Sequence, residues 1–198
     1  MLCVLELRIY EKIVLRTSAS LFIFFKSNSI STFVQTNPKP IRNMTQKELM
    51  RKAIALSKEN VANGGGPFGA VIAKDGEIIA TGVNRVTAQC DPTAHAEVSA
   101  IRAAASQLGT FDLSGYEIYT SCEPCPMCLG AIYWARLDKM YYGNNKTDAK
   151  EIGFDDSFIY DELELKPSER RLPSEVLLHD EAIKAFEAWT EKEDKVEY

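Results

Sequence analysis

His95-Ala96-Glu97 is followed, 29 residues after the histidine, by Pro124-Cys125-Pro126-Met127-Cys128. One imidazole and two thiolates are zinc-ligating types. Three such ligands fill three corners of a tetrahedron and leave the fourth for water, whose pKa falls from about 15.7 in bulk toward ~7 on the metal. Glu97 stands two residues from His95, so it can sit beside the ion without binding it and move a proton. Such a set can carry out metal-assisted hydrolysis, with one zinc ion per chain.

These side chains need two helices to hold them. Asp91-Pro92-Thr93-Ala94 reads as a turn and helix start with Thr93 as cap. Val98, Ile101, Ala105 and Leu108 recur at helical spacing and Gly109 ends the run, predicting a helix over 94–108. Cys125 and Cys128 are three apart, on one face of the first turn of a second helix over 125–135. Two helix N-termini then point at the metal, and their partial positive charge favours thiolate over thiol.

Other readings compete with this one. Cys122 could complete a closed Cys3His structural site, but that leaves Glu97 without a role. Cys122 ends the apolar run Tyr116 to Thr120 and reads there as a small buried strand residue. A redox reading of Cys-x-x-Cys explains neither His95 nor Glu97. His179, the other of the two histidines, reads as a strand-end residue after Val176-Leu177-Leu178.

The 198 residues suffice for one domain with its own core. Five cysteines, two of them assigned to metal, argue against a disulfide framework and for a reducing cytoplasm. No apolar run is long enough to span a membrane. Residues 1–43 carry a net +4, leaving −9 on residues 44–198. That leader is basic and hydroxyl-rich, as a transit peptide would be, but it lacks a sustained helical period. The preferred reading is an extension that is disordered or foreign to the natural protein, with Met44 as start. Thr45-Gln46-Lys47-Glu48 then forms a capping box at the first helix. A charge of −9 on residues 44–198 argues against a nucleic-acid partner.

Along that domain, 45–63 reads as an amphipathic helix with Met50, Ile54, Ser57 and Val61 on one stripe and Leu49, Ala53 and Leu56 beside it. Gly64-Gly65-Gly66-Pro67 breaks it; without a P-loop lysine it reads as a turn. Phe68 to Ala73 is a strand covered on both faces, Lys74-Asp75-Gly76 a hairpin turn, and Glu77 to Val83 the returning strand. Strands over 116–121 and 138–143, a helix over 146–152, a last strand at Val176 to Leu178 and a final helix over 180–191 follow. The last helix is expected to turn Ile183, Phe186 and Trp189 inward. The order suggests an α/β/α layered domain.

The pairing of H-x-E with P-C-x-x-C is the signature of the zinc base deaminases. The chain resembles the cytidine deaminase-like superfamily and, within it, the bacterial guanine deaminase family, over nearly all of residues 44–198. The resemblance rests on Gly66-Pro67-Phe68-Gly69-Ala70-Val71, Asp91 to Glu97, and Thr120 to Cys128. It extends to Gly153-Phe154-Asp155-Asp156-Ser157-Phe158 and the closing Tyr198. The first three blocks are shared in part with tRNA adenosine deaminases and cytosine deaminases; the last two are narrower. The leader has no counterpart in the family.

The resemblance implies a three-layer α/β/α fold with a five-stranded mixed sheet. It implies His95, Cys125 and Cys128 as zinc ligands and Glu97 as proton shuttle. It also implies Asn84 as a hydrogen-bond partner of a purine, Phe68 and Trp134 at the pocket, and Asp156, rather than Asp155, at the ring edge or in proton transfer. A homodimer whose C-terminal arm crosses to the partner would bring Tyr198 over the neighbouring site. The implied reaction is hydrolysis of guanine to xanthine and ammonia. The same chemistry on guanosine, cytosine or a tRNA adenosine is the alternative, and a non-catalytic zinc module is a second class.

Overall fold

The computed structural model describes Lys12–Thr17, Ser20–Phe25, Phe33–Thr36 and residues 43–197. Two units divide the chain, Met1–Arg42 and Asn43–Tyr198. The first holds β1 (Lys12–Thr17), β2 (Ser20–Phe25) and β3 (Phe33–Thr36) in an antiparallel sheet of order β1-β2-β3.

The second unit opens with α1 (Gln46–Ala62), capped as the sequence predicts: Thr45 Oγ1 accepts from Glu48 N–H, and Glu48 Oε2 accepts from Thr45 N–H at 2.8 Å. Its buried stripe is Leu49, Ala53 and Ser57, spaced one turn apart, while Ile54 and Val61 are exposed. β4 (Gly69–Lys74) and β5 (Glu77–Val83) form the expected hairpin. Asp75 and Gly76 both take positive φ, the mirror-image turn whose twist matches paired strands. Then come α2 (Val86–Gln89), α3 (Ala96–Leu108), β6 (Glu117–Cys122), α4 (Pro126–Trp134) and β7 (Lys139–Asn144). The chain continues through α5 (Lys146–Glu151), α6 (Ser157–Glu164), a 3-10 turn at Pro167–Glu169 and α7 (His179–Glu191).

The sheet order is β5-β4-β6-β7, with β4 antiparallel to both neighbours and β6 parallel to β7 through the α4 crossover. Successive strand residues face opposite sides. Ala70, Ile72 and Ile118 therefore join a core with Ala96, Ala100 and Ala104 of α3 and Ile132 of α4. Val71, Ala73 and Tyr119 join a second core with Leu49 and Ala53 of α1. These two cores make the three layers, with α1 on one face of the sheet and α3 and α4 on the other.

Three expectations are corrected. The sheet has four strands among the described residues, not five. Val176 to Leu178 form no strand: Val176 is 81% exposed, and Leu178 takes a left-handed conformation as N-cap of α7. Three apolar residues cannot make a strand without a neighbour to pair with. Nor does α7 turn its apolar stripe inward: Ile183 is half-buried, but Phe186 is 72% exposed and Trp189 41%. No helix among the described residues is long and apolar enough to cross a membrane.

Candidate active site

Two helix N-termini converge here. His95 is the N-cap of α3 and Cys125 the N-cap of α4, both with extended backbone, and neither side chain caps its own helix. Pro126 at N1 presets the first turn of α4, which puts Cys128 beside Cys125. The start of α3 falls two residues later than predicted. Asp91 Oδ1 accepts from both Thr93 N–H (2.8 Å) and Thr93 Oγ1 (2.7 Å), so Thr93 is held in the preceding turn and does not cap the helix.

His95 Nδ1 lies 3.6 Å from Cys125 Sγ and 3.5 Å from Cys128 Sγ. The three donor atoms lie within 4.8 Å of one another, and among the described residues they are the one such group of three. Tetrahedral zinc, with Zn–S near 2.3 Å and Zn–N near 2.0–2.1 Å, sets a ligating nitrogen and sulfur about 3.6 Å apart. The donor set therefore fits zinc in type and spacing. Cys125 is held well below the ordinary thiol range by hydrogen bonds from Cys128 and from His95. Cys128 is raised by its bond to Cys125 and by burial, and His95 is raised chiefly by its bond to Cys125. Cys125 thus carries the thiolate of the trio, close to two positive helix ends.

Cys122 stands outside this group. Its thiol donates toward Asn145 O at 3.7 Å, and burial pushes it up to about 11, so it stays protonated. Among the described residues the clustered donor set has three members, one fewer than a zinc tetrahedron has corners.

Glu97, at the second position of α3, is 5% exposed and its Oε2 lies 3.4 Å from Cys128 Sγ. Burial raises its carboxyl, against the opposing pull of its own N–H and of Cys128. A buried carboxyl beside a metal corner can hold and release a proton near neutral pH.

The cleft above these residues encloses about 630 Å³, within the ~300–1,000 Å³ usual for small-molecule sites. Phe68, Asn84, Glu97 and Asp156 all line it. Phe68 meets Phe154 edge-on, ring centres 4.9 Å apart. Asn84 is buried and its Oδ1 accepts from Val86 N–H at 3.3 Å, which leaves its NH2 to donate elsewhere. The two adjacent aspartates part company. Asp155 pairs with Lys150 Nζ at 3.0 Å and accepts from Ser157 N–H, and these bonds hold it down to about 2. Asp156, N-cap of α6, is raised by burial.

Trp134 is placed elsewhere. It is 68% exposed and does not line the cleft. Six residues past Cys128, it lies roughly 9 Å further along α4 and about 240° around it. Tyr198 lies outside the described residues. The sequence reading missed Phe154 as an aromatic wall and Gly64 to Gly66 as cleft lining. It also missed Glu123, whose carboxylate accepts from Lys146 N–H at 3.1 Å and ties the cysteine loop to α5. Phe154 lies inside the Gly153 to Phe158 block that carries part of the resemblance, whereas the glycine run offers no signal beyond a turn.

A three-layer α/β/α domain holding His, Cys, Cys and a buried glutamate at two helix N-termini defines a zinc-dependent hydrolase of the deaminase class. The chain belongs to that family: residues 43–144 match the cytidine and deoxycytidylate deaminase zinc-binding region. It is 52% identical over 156 residues to guanine deaminase of Bacillus subtilis, 78% of this chain and all of that one. The crystal structure of that protein superposes with a TM-score of 0.76, covering 99% of it. Guanine deaminase from Nitrosomonas europaea superposes with a TM-score of 0.56 at 35% identity, covering 61% of this chain and 70% of that one. The tRNA-specific adenosine deaminase of B. subtilis is 43% identical over 101 residues, half of this chain and 63% of that one.

Proposed function

We propose that the chain is a zinc-dependent guanine deaminase, converting guanine and water to xanthine and ammonia. The observation that carries this reading is 52% identity across the full length of a guanine deaminase. The clustering of His95, Cys125 and Cys128, with His95, Cys125 and Glu97 lining one cleft, agrees with it.

His95, Cys125 and Cys128 would hold zinc, which supplies a water acidic enough to ionise near neutral pH. Glu97 takes the first proton of the water that adds and delivers it to guanine N3. It then carries the second to the 2-amino group, which leaves as ammonia. Both protons are accounted for, one on N3 of xanthine and one on the amine. The Asn84 amide donates to a ring acceptor, and Phe68 with Phe154 covers the purine plane. Asp156 meets the ring edge, where its raised carboxyl can share a proton with a ring nitrogen.

Residues 44–198 form the catalytic domain with a C-terminal arm, and the enzyme works in the cytoplasm. The arm crosses to a second copy in a homodimer, bringing Tyr198 to the neighbouring cleft. Three features support the arm. α7 has no extensive packing partner among the described elements. Leu177 and Phe186 expose apolar side chains. Tyr133 and Trp134 expose an apolar face on α4 that a second copy could cover.

The test is ammonia release from the zinc-loaded protein at neutral pH with guanine, guanosine, adenine, cytosine and cytidine. Release from guanine far above the others is expected. Silence with all five would sink the reading. A tRNA adenosine is disfavoured because, among the described residues, the cleft is lined by Glu97, Glu123, Asp155 and Asp156 and by no lysine or arginine.

A further inference from the structure

Asn60 does not line the cleft, yet its amide ties together residues that do. Asn60 Nδ2 donates to Gly66 O and to Asn84 O, each at 2.8 Å, so both amide hydrogens are used. Asn60 O accepts from Gly65 N–H at 2.8 Å. Gly66 O also accepts from Phe68 N–H at 2.8 Å, and Asn84 N–H donates to Phe68 O at 3.2 Å. One side chain on α1 is therefore bonded to the carbonyl of Asn84 and, through Gly66, to the amide of Phe68. These are the two residues read as purine contacts.

Gly65 closes the arrangement from the other side. A Cβ there would lie 2.7 Å from both Asn60 Cγ and Oδ1, so the amide lies flat against the glycine with no room for a side chain. At Gly66 a Cβ would come 3.2 Å from Asn84 Cγ. The glycine run is thus the surface against which Asn60 and Asn84 are packed.

We infer that Asn60 is a positioning residue for substrate: it sets the Phe68–Asn84 wall, and so purine affinity, without touching the chemistry at Glu97. This rests on the deaminase reading for its substrate. An aspartate at 60 has the same shape but turns an acceptor toward two carbonyl oxygens. An alanine leaves both carbonyls without this donor.

The experiment compares wild type, Asn60→Asp, Asn60→Ala, Gly65→Ala and the Asn60→Ala/Gly65→Ala double variant, full chain and zinc-loaded, with guanine. Asn60→Asp and Asn60→Ala are expected to raise KM by about tenfold while kcat stays within about threefold and zinc stays at one per chain. Gly65→Ala alone displaces the amide and raises KM similarly. In the Asn60→Ala background it adds nothing, because the amide it displaces is gone. An unchanged KM in Asn60→Ala, a kcat that falls in step with rising KM, or additive effects in the double variant overturns the inference.

Amide hydrogen exchange reads the same wall without turnover. In Asn60→Ala, exchange at Gly65, Phe68 and Asn84 is expected to accelerate while Ser99 and Ala100 of α3 stay protected. Unchanged exchange at Gly65 and Phe68 overturns the inference whatever the substrate. Wild-type protein that releases no ammonia from guanine overturns the substrate reading, and the exchange result then judges the wall alone.

Discussion

Gly82 on β5 faces the backbone of Ala96 at the start of α3, and no side chain larger than hydrogen fits between them. A Cβ on Gly82 would run into Ala96 O and come 2.5 Å from Ala100 N. Both obstacles are backbone, so neither can swing aside. This close approach seats α3 on the sheet and with it sets His95 and Glu97, one residue either side of Ala96.

Gly82→Ala should therefore act on both stability and the site. Overpacking of this kind costs about 1–3 kcal/mol. Denaturant unfolding should show a lower midpoint, and zinc should dissociate more readily because His95 is displaced from Cys125 and Cys128. A variant with wild-type stability and wild-type zinc retention would contradict the assigned role of this contact.

Glu97→Ala should keep zinc and lose turnover. Glu97 is not one of the three clustered ligands, so metal content should remain one per chain. General acid–base groups contribute about 10²–10⁴-fold, and kcat should fall by that order. Metal analysis and ammonia release on the same sample check it; near-normal turnover with zinc present would remove the proton-shuttle assignment.

Asp155→Asn should erase one component of the acid sensitivity of the fold. Asp155 titrates at about 2, below its usual 3.8, because of Ser157 and Lys150. A lowered carboxyl stabilises the fold above its unfolded-state value and loses that contribution as pH falls through the folded-state value. The stability gap between wild type and Asp155→Asn should thus be full above about pH 5, shrink between about 4 and 2, and vanish below. The group is exposed, so the gap is small. Thermal unfolding across that range measures it, and a gap that widens on acidification would reverse the sign.

Phe186→Glu should break the proposed dimer without unfolding the chain. Phe186 lies on α7 and is largely exposed in the single chain. A charge there costs nothing in solvent but would be buried unpaired beneath a second copy. Sedimentation at micromolar concentration should give a dimer for the wild-type chain and a monomer for the variant, with equal helix content. A monomeric wild type would rule out the arm exchange.

Each half of the donor set was legible in the chain order because each is local: His95 and Glu97 share one turn, Cys125 and Cys128 another, while the meeting of the two halves is a tertiary outcome. The covalent geometry of a helix decides what lies within three or four residues, whatever the rest does. The Thr45–Glu48 capping box and the Asp75-Gly76 turn were legible for the same reason. What the tertiary structure decided involves segments far apart in sequence. It lays Phe154 against Phe68 and makes a wall of what reads as a plain glycine turn. It also keeps Trp134 out of the cleft and leaves Val176 to Leu178 without a sheet to join. Those outcomes depend on which surfaces meet when α1, α3, α4 and the 153–156 loop pack together, and no short window of residues contains that information.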